Sequence, residues 1–269
     1  MKNKKEKSIV VFDLDETLGH FEQLSIFWSV LEKFYTHHKV NYDNVLFYNL
    51  LDIFDLFLRP KILDILTFLK KKKEENKCDK IMIYTNNQGP KSWANIIKSY
   101  LHHKLNYDLF DQTIGAFTIN GKKIEICRTS HSKSVSDLIN CTKLPENTKI
   151  FFIDDQHHPD MENKNVIYIH IKPYVYNYKF SEMINLYYSK NAEDLLKFTT
   201  KQQFYQFFKK NLKGHRYEHL KKTDLEQEID NILSKKIIEH LEDFFKNKRT
   251  SYTRKKKEIK LNTTKRINK

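Results

Sequence analysis

The sequence predicts an α/β fold, with a central parallel sheet flanked by helices. Three short apolar runs, at residues 9–12, 80–84 and 148–153, have the length and continuity of strands buried on both faces, and residues 165–171 read as a last strand. Between them apolar residues recur at helical spacing, and strands that alternate with helices build a parallel sheet through crossovers. A third observation says where a site would lie. Three runs lead into Asp13-Leu14-Asp15-Glu16-Thr17, Thr85-Asn86 and Asp154-Asp155, and open α/β sheets bind ligands at the carboxyl ends of their strands.

The first run passes directly into its acidic segment. Side chains alternate along extended chain, so Asp13 and Asp15 can face the same side. Like charges that close need neutralising, and hard carboxylate oxygens favour magnesium. One Asp can then attack phosphorus as nucleophile while the other moves the proton. A plain strand with an acidic turn fits the same residues, so the rest of the chain has to decide. Residues 19–58 are rich in aromatics. Leu24, Phe27, Trp28, Leu31, Phe34 and Tyr35 follow helical spacing, as do Leu50, Leu51, Phe54 and Leu58. They predict two amphipathic helices in a small insertion after the first strand, with the aromatics serving as core.

Arg59-Pro60 is expected to open the next helix, with Pro60 in its first turn, and Lys70 to Lys73 suit its C-terminus. The second strand ends in Thr85-Asn86-Asn87-Gln88-Gly89-Pro90, and Pro90 opens another helix. A hydroxyl and amides beside a helix N-terminus suit a bound phosphate. Asn120-Gly121, between two β-like runs in residues 113–126, signals a hairpin. Lys133 stands at a helix start, where a cation opposes the helix dipole; a bound anion would resolve that, and solvent exposure is the plainer alternative. The third strand ends in Asp154-Asp155, followed by His157-His158-Pro159-Asp160. Adjacent histidines rarely chelate one ion, so a place on the rim, or no role, is expected. Residues 179–245 are helical in pattern. A capping box at Thr223-Asp224-Leu225-Glu226 precedes a stripe of Leu225, Ile229, Ile232, Leu233, Leu241, Phe244 and Phe245.

The chain of 269 residues carries a net charge of +14, with 39% hydrophobic and 30% charged residues. Residues 246–269 hold 11 Lys or Arg against one acid, Glu258, so this segment is a candidate for nucleic-acid binding or a nuclear address as well as a solvated tail. The three cysteines, Cys78, Cys127 and Cys141, are odd in number and widely spaced. Without a CxxC pair, neither a disulfide framework nor a zinc site is expected, and a reducing compartment fits. The basic N-terminus enters a core strand at once, unlike a signal peptide. No apolar run approaches the ~20 residues that span a bilayer.

Asp13-Leu14-Asp15-Glu16-Thr17-Leu18, Thr85-Asn86, Lys133 and Asp154-Asp155, in that order and at strand or helix ends, resemble the four motifs of haloacid dehalogenase (HAD) phosphatases. DLDETL, Arg59-Pro60 and KIMIYTNN resemble in particular the branch of RNA polymerase II C-terminal-domain (NLI-interacting-factor-like) phosphatases. The resemblance covers about residues 8–172 and implies a Rossmann-like fold with roles position by position. Asp13 would be nucleophile and Mg2+ ligand, and Asp15 acid/base with its carbonyl on the metal. Thr85 and Asn86 would bind phosphoryl oxygens, Lys133 would neutralise nucleophile and phosphate, and Asp154 and Asp155 would complete the metal shell. Asn86-Asn87 and Asp154-Asp155-Gln156 depart from the branch, which shows a small residue and serine at the former and Asp-Asn-Ser at the latter.

The expected organisation is a catalytic domain at 1–178 with a cap-like insertion at 19–58, a helical extension at 179–245 and the basic tail. No large second cap interrupts residues 86–133, so a phosphorylated macromolecule can reach the site. The favoured activity is a Mg2+-dependent phosphatase on Ser/Thr phosphoprotein. Nucleic-acid ends or a small metabolite as substrate, and a non-catalytic scaffold, are the alternatives. An intracellular, cytoplasmic or nuclear setting away from membranes is expected.

Overall fold

Strand β1 (Ser8–Phe12) is followed by α1 (Glu22–His37), α2 (Asn44–Ile53) and α3 (Ile62–Glu74) before β2 (Lys80–Tyr84). Helix α4 (Lys91–Leu105) leads to a short strand, β3 (Gln112–Ile114), and to a hairpin of β4 (Thr118–Ile119) and β5 (Lys122–Lys123). Helix α5 (Val135–Thr142) returns the chain to β6 (Lys149–Asp154) and β7 (Val166–His170). Four helices follow: α6 (Phe180–Lys190), α7 (Ala192–Leu195), α8 (Lys201–Asn211) and α9 (Asp224–Lys246). This computed structural model describes residues 6–246; most of the basic segment, 247–269, lies outside the described residues.

Five strands pair in parallel in the order β3-β2-β1-β6-β7. The result is an α/β fold with helices flanking a central parallel sheet, consistent with a Rossmann-like arrangement. β1 lies in the middle, so the carboxyl ends of β2 and β6 flank the residues that follow it. Both faces of the sheet are apolar, as a parallel sheet requires. Val10, Phe12, Ile81, Ile83, Phe151 and Ile153 point into the larger core. Ile9, Val11, Met82, Tyr84, Ile150 and Phe152 point into a smaller core closed by Leu138 of α5.

The aromatics of residues 19–58 are core residues. The rings of Phe27 and Phe208, and of Phe34 and Phe204, lie 4.9 Å apart centre to centre, which joins α1 to α8. Phe244 of α9 meets Phe151 of the sheet, and Phe245 meets Phe68 of α3. Asn120 and Gly121 both have positive φ, at 49° and 75°, as the hairpin turn demands. The capping box closes as expected, with the Thr223 amide 2.8 Å from Glu226 Oε2.

Several expectations need correcting. Pro60 precedes α3 rather than sitting in its first turn, because Lys61 takes a left-handed conformation (φ 60°) at the cap. Gln112–Ile114 joins the main sheet ahead of the hairpin; three residues are too few to show a period. The stripe on α9 is only partly buried: Leu225 and Ile232 are exposed, and Asp230, Ser234, Ile237, Leu241, Phe244 and Phe245 form the inner face. Cys127 and Cys141 form a disulfide, against the reading of the cysteines. The hairpin and α5 fold back to bring their Cα atoms to 5.0 Å, within bridging range, and spacing alone carries no sign of that approach. The reducing compartment inferred from those cysteines loses that support. Among the described residues no helix is long and apolar enough to cross a membrane.

Candidate active site

The segment after β1 is pinned at both ends. Asp13 N–H donates to the Ile153 carbonyl at 2.9 Å, so the chain leaves the sheet still bonded to β6. Glu16 then turns with φ 54°, and the buried Arg59 guanidinium holds that turn. It donates to the carbonyls of Thr17 (2.6 Å), Glu16 (2.5 Å) and Lys172 (2.9 Å). The Arg-Pro pair read as a helix start therefore has a second task, which is to fix the acidic turn.

Asp13, Asp154 and Asp155 come together at the carboxyl edge of the sheet. One carboxylate oxygen from each lies within 4.8 Å of the others, and all three residues are buried. Lys133, at 1% exposure, sits among them. Its ammonium donates to Asp13 Oδ1 and, at 2.7 Å, to Asp154 Oδ2. These two carboxylates are the anions that its place at the start of α5 called for; it is not a surface lysine. His158 Nε2 lies 3.4 Å from Asp154 Oδ2, so this histidine reaches the site, while His157 stays outside on Glu162. Thr17 ties in Asp155: its hydroxyl donates to Asp155 Oδ1 at 3.2 Å and accepts from the Asp155 amide at 3.1 Å.

Three carboxylates around one ammonium leave an excess of negative charge. Burial pushes the Asp13 carboxyl up to about 8, with Lys133 pulling against it and Asp154 adding to the rise. Burial also raises Asp155, helped by Asp154. Burial would raise Asp154 too, but donors from His158, Lys133 and the Gln156 amide outweigh it and hold this carboxyl low. Burial disfavours the Lys133 charge, yet Asp13 and Asp154 more than offset that and lift it above the ordinary lysine value. A divalent cation among the three acids would remove the excess. The donors are hard oxygens within reach of one another, the chemistry that Mg2+ takes.

Asp15 is not part of this cluster and is half-buried. Its Oδ2 accepts from Asn87 Nδ2 at 2.7 Å. Burial pushes its carboxyl up to about 6, with Asn87 opposing the rise, so it can hold and release a proton near neutral pH. Thr85 and Asn86 follow β2 directly. Thr85 is buried, and its Oγ1 accepts the Asn87 amide at 3.0 Å, leaving the hydroxyl hydrogen to donate. Asn86 Oδ1 is buried without a hydrogen-bond partner.

Arg128 carries no signal in the sequence, and the partners of Asn87, His158 and Thr17 are set only by the fold. Arg128 is fully buried against the Tyr84 ring at 4.8 Å. It donates to the carbonyls of Gly115 (2.8 Å), His131 (3.0 Å) and Thr85 (3.3 Å), which ties the loop before Lys133 to the end of β2. Asn87 belongs to the polar turn whose amides suit a phosphate, and only the fold shows that it faces Asp15. Comparison of the chain with protein-family models, curated proteins and solved structures finds no match.

Proposed function

We propose that the chain is a Mg2+-dependent phosphomonoesterase of the haloacid dehalogenase type that works through an aspartyl-phosphate, with Ser/Thr phosphoprotein as favoured substrate. The observation that carries this reading is the buried Asp13, Asp154 and Asp155 cluster around the Lys133 ammonium, at the carboxyl edge of a parallel sheet. Such a cluster is costly to build unless a charged ligand uses it.

In this reading a carboxylate oxygen of Asp13 attacks phosphorus while the bond from phosphorus to the ester oxygen breaks. Asp15 gives its proton to the departing oxygen. Water then attacks phosphorus, Asp15 takes the proton from that water, and the bond between phosphorus and the Asp13 oxygen breaks to release phosphate. Lys133 holds Asp13 in place and offsets charge on the incoming phosphoryl group. The Thr85 hydroxyl and the Asn86 amide stand at the neighbouring strand end to bind its oxygens. Asp13, Asp154 and Asp155 would hold Mg2+, which would supply charge neutralisation for the phosphoryl group. The test is hydrolysis of an aryl phosphate with Mg2+ and with chelator, for the native chain and for Asp13→Asn. Turnover that needs both the metal and Asp13 supports the proposal. Turnover that survives Asp13→Asn contradicts it.

A further inference from the structure

We infer that the cleft beside Asp15 receives an extended polypeptide whose phosphorylated residue is flanked by lysine or arginine side chains. This rests on the phosphatase reading and names the substrate chemistry of that same site. The cleft measures about 1300 Å³, beyond the ~300–1000 Å³ of an ordinary small-molecule site. Asp15, Glu16 and Asn87 are among the residues that line it. One wall is α1 and the other is the N-terminal half of α4.

Its charge runs against that of the molecule. The chain as a whole is at +14, yet four carboxylates besides Asp15 (Glu16, Glu22, Glu32 and Asp43) line the cleft against two ammonium groups, Lys33 and Lys98, and the His215 imidazole. Glu22 and Glu32 are ten residues apart on one helix, roughly 15 Å at 1.5 Å per residue. Extended chain advances ~3.3 Å per residue, so this acidic wall spans about four to five residues of a bound peptide. Cationic side chains within that reach of the phosphorylated residue would meet carboxylates. A polynucleotide would bring a backbone phosphate to each of them, and its affinity depends on cations. Nor does the cleft offer bases a stacking platform. Of its aromatics, Trp28 and Trp93 are buried, at 6% and 7% exposure, and only Tyr42 is open.

The experiment uses the full chain as Asp13→Asn, so that bound substrate is not consumed. Its probes are a phosphoserine peptide with Arg/Lys flanks, the same peptide with Glu/Asp flanks, and a 5′-phosphorylated oligothymidylate. Affinity is read by fluorescence anisotropy. Hydrogen exchange over residues 22–33 and 87–99 separates binding in the cleft from binding at the basic tail. The basic peptide is expected to protect these residues and to bind about tenfold tighter than the acidic one at low salt, the sum of a few exposed ion pairs. Adding Glu22→Gln and Glu32→Gln should erase the preference. Equal or stronger protection of the cleft by the acidic peptide or the oligonucleotide overturns the inference, as does a preference that survives both substitutions. If the native chain hydrolyses no phosphoester while the unphosphorylated basic peptide still protects the cleft, the phosphatase reading falls and the basic-peptide cleft stands.

Discussion

Lys133 is the residue on which the charge balance of the site turns. Its ammonium is the counter-charge to Asp13 and Asp154 within a buried cluster. Lys133→Met should therefore abolish turnover and destabilise the fold by about 3–5 kcal/mol, since it leaves buried carboxylates unpaired. Added Mg2+ should recover part of the lost Tm by supplying charge to the same oxygens; a Tm that ignores Mg2+ would count against the shared site. In the proposed reaction Asn87 would act through Asp15, to which it donates, rather than on phosphorus. Asn87→Ala should lower kcat about tenfold or more for an alkyl phosphate, a share of the 10²–10⁴ that positioned acid catalysis contributes. For a nitrophenyl ester, whose leaving group needs little protonation, the loss should be much smaller, whereas a purely structural role for Asn87 would slow both equally. Lys133 was visible in the sequence as a cation at the wrong end of a helix. Arg128 and Asn87 were not, because their partners are carbonyls and a carboxylate that only the folded chain brings near.

At the scale of elements, the acidic turn after β1 is held by the segment around residue 57. His20 N–H donates to the Phe57 carbonyl at 2.7 Å, and Arg59 N–H to that of Leu18 at 3.0 Å. Gly19 is what lets the two strands of chain approach: a Cβ there would lie 2.4 Å from the Phe57 carbonyl oxygen and 2.5 Å from the Phe21 ring. Backbone cannot swing aside as a side chain can. Gly19→Ala should cost about 1–3 kcal/mol and disturb Asp15 and Arg59 together; thermal melts and turnover should fall in step. The Cys127–Cys141 bridge joins residues 14 apart in sequence and closes a loop that contains both Arg128 and Lys133. Reduction by a dithiol should cost about 3 kcal/mol for a loop of this size; thiol counting before and after, with melts, checks both the pairing and its effect. The main strands were legible because unbroken apolar runs such as residues 81–84 leave little choice. The three-residue β3 and the disulfide were not, because one depends on a neighbour for its pairing and the other on the fold.

Across the whole molecule, one aromatic core joins the early insertion to the late helices. Phe208 lies against both Phe27 and Phe34, so α8 covers α1 although far from it in sequence. Phe208→Ala should destabilise by about 3–5 kcal/mol with a single melting transition if these parts unfold together. Helical periodicity made each of these helices readable singly, but spacing carries no information about which apolar face meets which. The parallel sheet brings Asp13, Lys133 and Asp154 to one edge from positions 120 and 21 residues apart, and the central claim is that Asp13 there forms a covalent bond to phosphorus. The direct measurement is mass spectrometry of the Asp15→Asn chain after exposure to an aryl phosphate and Mg2+, where the first step can proceed and the second lacks its base. The account predicts a base-labile phosphoryl group on the peptide that contains Asp13. Turnover by the native chain, with no phosphoryl group on that peptide or with one on another residue, would contradict it.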